Sequence, residues 1–290
     1  MIEREACPMP TERELEALCK KNFSGYCLVF PVNVLGKGGM ATVYAGQDRR
    51  TKGRVAIRVL DSSIHEDYVR AEMSMCDAIQ PLAAQCPHLV LPLAWADNYI
   101  VLERLDGMNL QDLIQEAANT GNTIDLITLL TIFLHICRAL SALHGAGIVH
   151  RDVKAENIFV TTADDLEVRA KLIDYGIACF MSQSRQANHS VWGTPGKMSP
   201  EQFFGARLDG RADIYSLGVA MYEAICDEPL YEETIPPMAS DTPDCVWSAM
   251  IWKTIDPEVR ALVASMIQPD GEKRPASAEA VADTIEKLIE

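Results

Sequence analysis

The chain has 290 residues, 48% of them hydrophobic, so it is long enough for a sizeable core in one large domain or two modest lobes. Its 41 acidic residues outnumber 26 basic ones and give a net charge of −15, which argues against nucleic acid or an anionic membrane as the main partner. The nine cysteines form no C-x-x-C pair and no Cys/His cluster, so they suggest neither disulfides nor a zinc site. Reduced thiols favour a cytoplasmic location.

The N-terminal part of the chain is charged and lacks the apolar stretch of a signal peptide. Residues 12–21 predict a short amphipathic helix, within an N-terminal extension that we assign to residues 1–28. From about Phe30 to Leu60, strand-like segments alternate with Gly-rich and charged turns. This pattern predicts a small antiparallel sheet.

The last of these strands, VAIRVL at residues 55–60, carries one cation among apolar residues. Arg58 cannot lose its charge, so on a covered face it needs a carboxylate, a phosphate or an aromatic ring opposite it. The helix predicted over residues 65–80 presents a stripe that is apolar except for one carboxylate: Tyr68, Glu72, Met75 and Ile79. A glutamate at a stripe edge is usually solvated, but here Glu72 is a candidate partner for Arg58.

Short strands follow Pro92, and the polar and glycine content then rises at residues 103–106 like a hinge. We place a small first lobe at residues 29–105 and a helical second lobe at residues 106–290. The predicted helices cover residues 109–118, 125–144, 212–226, 243–252, 257–267 and 277–289. The apolar run in the second of them is too short for a membrane span and has the spacing of a core helix.

Three segments carry chemistry. LGKGGMATVY at 35–44 has glycines that would let the backbone approach a phosphate, although alone it fits a hairpin turn equally well. HRDVKAENIFV at 150–160 brings Asp152, Lys154 and Asn157 into one loop. KLIDYGIA at 171–178 delivers Asp174 from an apolar strand to a glycine turn.

In this order, the three segments resemble the eukaryotic-like protein kinase superfamily, most closely its bacterial serine/threonine branch, over about residues 30–288. The match continues through GTPGKMSPE at 193–201, DIYSLGV at 213–219 and EKRP at 272–275. The resemblance implies a bilobal α+β fold, with a small antiparallel sheet and one helix in the first lobe and a mainly helical second lobe. It also implies a nucleotide in the cleft and a protein substrate or signalling partner, and it carries no indication of oligomeric state.

The resemblance assigns the ATP site residue by residue. The backbone of the glycine loop would cover the phosphates, and apolar side chains would sandwich the adenine. The implied positions are Gly36, Gly38 and Ala41 in the loop, Leu35, Val43, Ala56 and Phe159 around the adenine, Leu102 as gatekeeper, and the backbones of Glu103 and Leu105 at the adenine edge.

The resemblance also assigns the catalytic roles. Asp152 would accept or orient the substrate hydroxyl proton, and Lys154 would steady the transferring phosphoryl group. Asn157 and Asp174 would hold Mg²⁺. Lys154 together with Thr194 is similar to the serine/threonine branch, which implies serine or threonine acceptors.

Other matches are expected to be structural or regulatory. The implied supports are His150 in the apolar part of the loop, Asp213 bracing the loop from its helix, and an ion pair of Glu201 with Arg274. Tyr175 adds a hydroxyl that needs a partner, and Lys197 stands where the family commonly has tyrosine, beside the substrate-binding segment. A phosphate on Ser190 or Thr194 could pair with Arg151, or the segment could be ordered without phosphate.

The family's VAIK lysine falls on Arg58, and its helix partner falls on Glu72. A lysine ammonium can touch a carboxylate and the nucleotide phosphates together, whereas the planar guanidinium favours bidentate pairing with the carboxylate. One interpretation is therefore a serine/threonine kinase weakened by Arg58. The alternatives are a pseudokinase that acts as a nucleotide-binding or scaffold module, and an active enzyme silenced by replacing the lysine.

Overall fold

The computed structural model describes residues 23–29, 32–162, 167–183, 193–230 and 251–290. These residues form two compact units, one built from the chain up to Gln85 together with Val90–Leu105, and one from Cys86–Leu89 together with Asp106–Glu290. The predicted helix over 12–21, positions 243–250 of the predicted helix over 243–252, and Ser190 lie outside the described residues.

The first unit is built on an antiparallel sheet. Its strands are β1 (Tyr26–Leu28), β2 (Val34–Lys37), β3 (Ala41–Asp48), β4 (Arg54–Leu60), β5 (Pro92–Ala96) and β6 (Tyr99–Glu103). The order is β1-β3-β4-β6-β5, and β2 also pairs with β3. Residues 26–28, which the sequence analysis assigns to the N-terminal extension, therefore belong to this sheet. Tyr44, Ile57 and Val101 are buried in its core.

In the described part of this unit one helix accompanies the sheet, α1 (Glu66–Ala83). His65 caps its first turn by accepting a hydrogen bond from the Asp67 N–H, and acidic residues there suit the helix dipole. The helix was predicted to end at residue 80 but continues past Pro81 to Ala83. Pro81 lacks the N–H that would bond to the preceding turn, but the burial of Ala83 favours continuation of the helix.

The second unit is mainly helical. Its helices are α2 (Leu110–Asn119), α3 (Leu126–Gly145), α4 (Pro200–Phe203), α5 (Arg211–Cys226), α6 (Pro257–Met266) and α7 (Ala278–Ile289). By length and composition, α3 is apolar enough to cross a membrane. Ile132, Phe133, Ile136 and Leu140 are fully buried inside the unit, so we interpret α3 as a core helix.

Short strands in the second unit position the loop that carries Asp152, Lys154 and Asn157. β9 (Ile158–Thr162) pairs with β10 (Val168–Leu172) and with β7 (Met108–Asn109), while β8 (Ile148–Val149) pairs with β11 (Cys179–Phe180). The loop between β8 and β9 contains a short 3₁₀ helix at Ala155–Asn157. The predicted α+β class, with a small antiparallel sheet plus one helix and a mainly helical part, is confirmed.

Candidate active site

Within the first unit, Glu72 is the partner of Arg58. Arg58 Nη1 contacts Glu72 Oε1, and the two side chains are only 11% and 2% exposed. Glu72 Oε2 is buried and has no hydrogen-bond partner among the described residues. One turn further along α1, burial raises the pKa of the Cys76 thiol to about 12, although the charge of Arg58 opposes this rise. The ion pair therefore lies in a poorly solvated place.

The strand register places the predicted adenine contacts on the same sheet face as Arg58. Val43 of β3 lies opposite Arg58, and Ala56 lies opposite Leu102 of β6. Directly paired residues share a face of an antiparallel sheet, and so do residues two apart on one strand. One face therefore carries these four residues. Leu35 lies on β2, beside a register irregularity in its pairing with β3.

The residues predicted to bond the adenine edge, Glu103 and Leu105, lie at the end of β6 and just after it. Glu103 ends β6, its N–H donates to the Leu91 carbonyl at 3.0 Å, and its carboxylate accepts from the Leu91 N–H at 2.8 Å. Leu105 is the last residue of the first unit. These bonds hold Glu103 at both its backbone and its side chain, which fixes the position of the segment.

The glycine loop joins β2 to β3. A Cβ added at Gly36 or Gly39 would meet no atom within 4 Å, and one added at Gly38 would lie 3.7 Å from the Ala41 carbonyl oxygen. None of the three has a positive φ that would demand glycine. Neither backbone conformation nor packing in the described chain therefore requires glycine here. Space kept open along a backbone is what a bound phosphate needs.

In the second unit, Asp152 is the centre of a hydrogen-bond network. Its Oδ1 accepts from the Thr194 hydroxyl at 2.7 Å, and its Oδ2 accepts from Lys154 Nζ at 3.1 Å and Asn157 Nδ2 at 3.0 Å. Lys154 Nζ also donates to Thr194 Oγ1 at 2.7 Å. The carboxylate, the cation and the amide predicted from one loop are thus brought together, with a hydroxyl added from a distant segment.

The predicted metal ligands are neighbours on the β9–β10 hairpin. Ile158 pairs with Leu172, and the Ile173 N–H donates to the Asn157 carbonyl at 2.9 Å, which places Asn157 beside the residue preceding Asp174.

The donor chemistry of these ligands suits Mg²⁺. Both amide N–H groups of Asn157 donate to Asp152, which leaves Oδ1 as the acceptor of this side chain. The Asp174 carboxylate is exposed, and one of its oxygens accepts the Gly176 N–H at 3.1 Å. Amide and carboxylate oxygens fit Mg²⁺, which prefers oxygen ligands. Phe159, the remaining predicted adenine contact, follows on β9.

Asp213 of α5 holds the loop in place, as predicted. It accepts the N–H groups of His150 and Arg151 at 2.8 Å each, and His144 Nε2 lies 2.8 Å from the same carboxylate. Burial would raise the pKa of Asp213, but the His144 hydrogen bond and the histidine charges outweigh it and lower the pKa. The buried carboxylate thus stays ionised and tethers Arg151, whose φ of 68° is left-handed.

His150 and Tyr175 form the apolar support of the loop. His150 is fully buried, its Nδ1 accepts the Asp152 N–H at 3.3 Å, and its ring meets the Tyr175 ring edge-on at 5.9 Å between centroids. The additional hydroxyl of Tyr175 finds its partner in the Leu172 carbonyl at 3.2 Å. These contacts position the backbone on which Asp152 lies.

The segment at 193–201 contributes more than the sequence analysis assigned to it. The sequence predicts that Thr194 marks a preference for serine or threonine acceptors and is a candidate for phosphorylation. In the structure its hydroxyl also bridges Asp152 and Lys154. A phosphate on it would place negative charge beside Asp152. Gly193 before it has φ +136°, and a Cβ there would lie 2.5 Å from Gln202 Nε2. A side chain at this position would be strained and crowded, so the position favours glycine.

Two ion pairs anchor the same segment. Glu201 pairs with Arg274 through two bonds of 2.6 and 2.9 Å, as predicted, and the Arg274 side chain is fully buried. Lys197 pairs with Glu223 of α5. Glu223 was missed because its sequence context is an ordinary helix, with no nearby motif that distinguishes it.

Known proteins are similar to the part of the chain that contains the residues described above. A family model described as "Protein kinase domain" matches residues 31–285. The serine/threonine-protein kinase Pkn2 of Myxococcus xanthus is 31% identical over 264 residues, which is 87% of this chain and 31% of that protein. A probable serine/threonine-protein kinase of Streptomyces coelicolor is 30% identical over 278 residues, or 89% of this chain and 39% of that protein.

The fold is similar to that of a solved structure, the kinase domain of Mycobacterium tuberculosis PknI. The TM-score is 0.68 at 21% sequence identity, and the match covers 93% of this chain and 98% of the other. At this identity the match concerns the fold alone. The chain spans 31% and 39% of the two curated relatives, so those proteins carry further regions that it does not match.

Proposed function

Because the chain belongs to the eukaryotic-like serine/threonine protein kinase superfamily, we propose that it transfers the γ-phosphate of ATP to serine or threonine hydroxyls of proteins. We propose further that Arg58 slows this reaction. The single observation that carries the proposal is the network in which Asp152, Lys154, Asn157 and Thr194 converge. A purely structural loop has no need to place a carboxylate, a cation and two further polar groups within hydrogen-bond distance.

The network suits phosphoryl transfer. The substrate oxygen attacks the γ-phosphorus, the bond from that phosphorus to the bridging oxygen of ADP breaks, and the hydroxyl proton passes to Asp152. Lys154, 2.7 Å from Thr194 Oγ1, would balance negative charge on the phosphoryl oxygens. The Thr194 hydroxyl, itself bonded to Asp152 Oδ1, marks where an acceptor hydroxyl would bind.

The same proposal includes ATP and Mg²⁺. The loop at Gly36, Gly38 and Gly39, where nothing in the described chain demands glycine, supports close approach of the phosphates. Asn157 and Asp174 would hold Mg²⁺, which when bound would neutralise phosphate charge. Leu35, Val43, Ala56, Glu103, Leu105 and Phe159 remain the proposed contacts of the nucleoside, with Leu102 as gatekeeper.

Arg58 is the reason for a reduced rate. Its guanidinium already contacts Glu72 in a poorly solvated place, so a phosphate must compete with that carboxylate for it. Losing one well-aimed charge at a transferring phosphate costs about 3 to 4 kcal/mol of transition-state stabilisation, or roughly a hundred- to thousandfold in rate. A slow kinase is therefore the expected result.

The proposal is tested by measuring phosphate transfer from Mg²⁺-ATP to a generic basic protein. We expect measurable transfer by the natural chain, a gain of roughly a hundredfold or more in Arg58→Lys, and none in Asp152→Asn. Arg54→Lys is the matched control, because Arg54 is an exposed arginine on the same strand. Its rate should equal that of the natural chain.

The Arg58–Glu72 pair also favours a second candidate, a pseudokinase that binds nucleotide or a partner protein without phosphoryl transfer. If the guanidinium never leaves Glu72, the pair serves as a structural link between β4 and α1. Nucleotide binding with no transfer by either the natural chain or Arg58→Lys would select this function. Transfer by the natural chain that Asp152→Asn abolishes would select the kinase.

The partners in this proposal are proteins, either as substrates or as signalling partners. The net charge of −15 supports basic rather than nucleic-acid partners. We also propose a cytoplasmic location, where ATP and Mg²⁺ are available and thiols such as the buried Cys137 stay reduced. Cell fractionation with an antibody to the chain tests the location directly.

A further inference from the structure

The segment that carries Thr194 also carries a cation, Lys197, and the two are close together. The Lys197 N–H donates to the Thr194 carbonyl at 3.0 Å, which closes a four-residue turn. Such a turn keeps its first and last Cα atoms within about 7 Å of each other. The backbone of Lys197 therefore lies close to that of Thr194, whose hydroxyl contacts Asp152.

The Lys197 side chain is directed to a single carboxylate. Its Nζ contacts Glu223 Oε2, and the other oxygen of that carboxylate, Oε1, accepts the Leu230 N–H at 3.3 Å. The Lys197 carbonyl accepts the Ser216 hydroxyl at 2.8 Å. The turn is thus bound to α5 through both its backbone and its charge.

The pair is neither buried nor fully solvated. The Lys197 side chain is 24% exposed and the Glu223 side chain 17% exposed. A charge at this depth, left without its partner, would attract an opposite charge from a molecule bound beside it. While the pair is intact, its net charge is zero and that attraction is weak.

We propose that the Lys197–Glu223 pair determines which charged side chains the acceptor protein can carry next to its hydroxyl. Lys197 occupies the place on Glu223 that a basic substrate side chain would otherwise take. The chain as it stands therefore does not select a basic residue at that place. The inference rests on the proposed function, because it locates the acceptor hydroxyl at Asp152.

Removing the charge of either Lys197 or Glu223 should create a preference for substrate side chains of one predictable charge. Lys197→Met keeps the apolar length of the side chain and leaves the Glu223 carboxylate able to bind a substrate lysine or arginine. Glu223→Gln keeps an oxygen for the Leu230 N–H and leaves the Lys197 ammonium able to bind a substrate aspartate or glutamate. A partly exposed ion pair of this kind should change relative use by roughly fivefold.

The experiment uses peptides with one serine, in which each flanking position carries alanine, arginine or glutamate in turn. Phosphorylation by Mg²⁺-ATP is measured, and binding is measured by fluorescence anisotropy with a non-hydrolysable ATP analogue. The natural chain should use the three peptides of each position about equally. Lys197→Met should favour arginine at one flanking position, and Glu223→Gln should favour glutamate there.

Lys287→Met is the matched control, since it removes the same charge from an exposed lysine on α7 and should leave the profile flat. Circular dichroism establishes that each variant is folded. If Lys197→Met does not fold, the peptide preference of Glu223→Gln alone tests the proposal. If the variants bind and phosphorylate the arginine, glutamate and alanine peptides in the same proportions as the natural chain does, this inference is overturned and the kinase function stands. Absence of both peptide binding and phosphorylation in every protein would overturn both.

Discussion

Two stacked histidines in the second unit should make its folding sensitive to acid. The rings of His88 and His135 lie parallel, 4.2 Å apart. His88 Nδ1 lies 3.1 Å from the Ala170 carbonyl oxygen and donates to it, while His135 Nδ1 accepts the Ala170 N–H at 3.3 Å. A proton on His135 Nδ1 would meet that N–H head-on, so the native bonds require a neutral ring at His135.

The surroundings lower the pKa of both rings. Burial and then the charges of His88 and Arg138 lower the pKa of His135 to about 4, against a small opposite effect of Glu167. Burial also lowers the pKa of His88, against the Ala170 hydrogen bond, and nearby Arg138, Lys171 and Arg169 add to the lowering. The unfolded chain, with ordinary histidines near 6.5, therefore binds more protons below that pH than the folded chain does.

The direction and the size of the pH effect on the free energy of unfolding follow from this difference in proton binding. The stability contributed by a neutral His135 is fully present above about pH 6.5 and is lost as the pH falls from there towards 4. At pH 5 the shift of His135 alone would cost about 2 kcal/mol if the ring were fully buried. Because the ring is partly exposed, we expect a loss of about 1 kcal/mol.

The assay is urea unfolding followed by circular dichroism at several pH values between 7.5 and 4.5. His135→Asn offers an oxygen in place of Nδ1 that cannot be protonated in this range, so its stability should fall about 1 kcal/mol less between pH 7.5 and 5. Gln111→Asn is the control, because Gln111 is exposed on α2 and does not titrate, so the stability of this variant should fall as much as that of the natural chain. Equal losses in the natural chain and His135→Asn would refute the reasoning.

Three further predictions concern the supports of the candidate site. Arg274→Met should lower the free energy of unfolding by about 3 kcal/mol, since it removes the fully buried guanidinium that binds Glu201 and the carbonyls of Gln268, Pro269 and Arg211; Lys273→Met, at an exposed neighbour, should change it little in the same urea titration. Gly193→Ala should lower it by about 1 to 3 kcal/mol through strain at φ +136° and close contact, whereas Gly145→Ala, which meets no atom within 4 Å, should not. Asp174→Asn should reduce the thermal stabilisation by Mg²⁺-ATP to the level seen with ATP and a chelator, as measured by differential scanning fluorimetry.

Local patterns predicted much of the fold because they describe short-range physics. The periodicity of Glu72 on a helix stripe and of Arg58 on a strand made Glu72 a candidate partner, the family resemblance implied the pair, and the structure confirms the contact. The bounds of α2, α3, α5, α6 and α7 also lie within one residue of the predicted ones, whereas α4 was not predicted and residues 251–252 of the predicted helix over 243–252 lie in a 3₁₀ helix. The end of α1 was wrong by three residues because tertiary burial of Ala83 outweighed the local effect of Pro81.

Long-range partners could not be predicted in the same way. The hydroxyl of Thr194 reaches Asp152 from 42 residues away, and Glu223 binds Lys197 across 26 residues. The motif around Thr194 resembles the serine/threonine branch but does not show what the hydroxyl contacts, and nothing local to Glu223 distinguishes it from an ordinary helical glutamate. The two-residue strands β8 and β11 were missed for a related reason, because they are too short to show alternation.

The guanidinium at position 58 also has a consequence for chemical labelling. An arginine side chain keeps its proton at any physiological pH, so it has no free lone pair with which to attack an electrophile. Amine-directed reagents delivered by an adenine-like group would therefore leave Arg58 unmodified, whatever their affinity. A survey that detects nucleotide binding by labelling an amine at position 58 would not register this protein, even if the protein binds nucleotide.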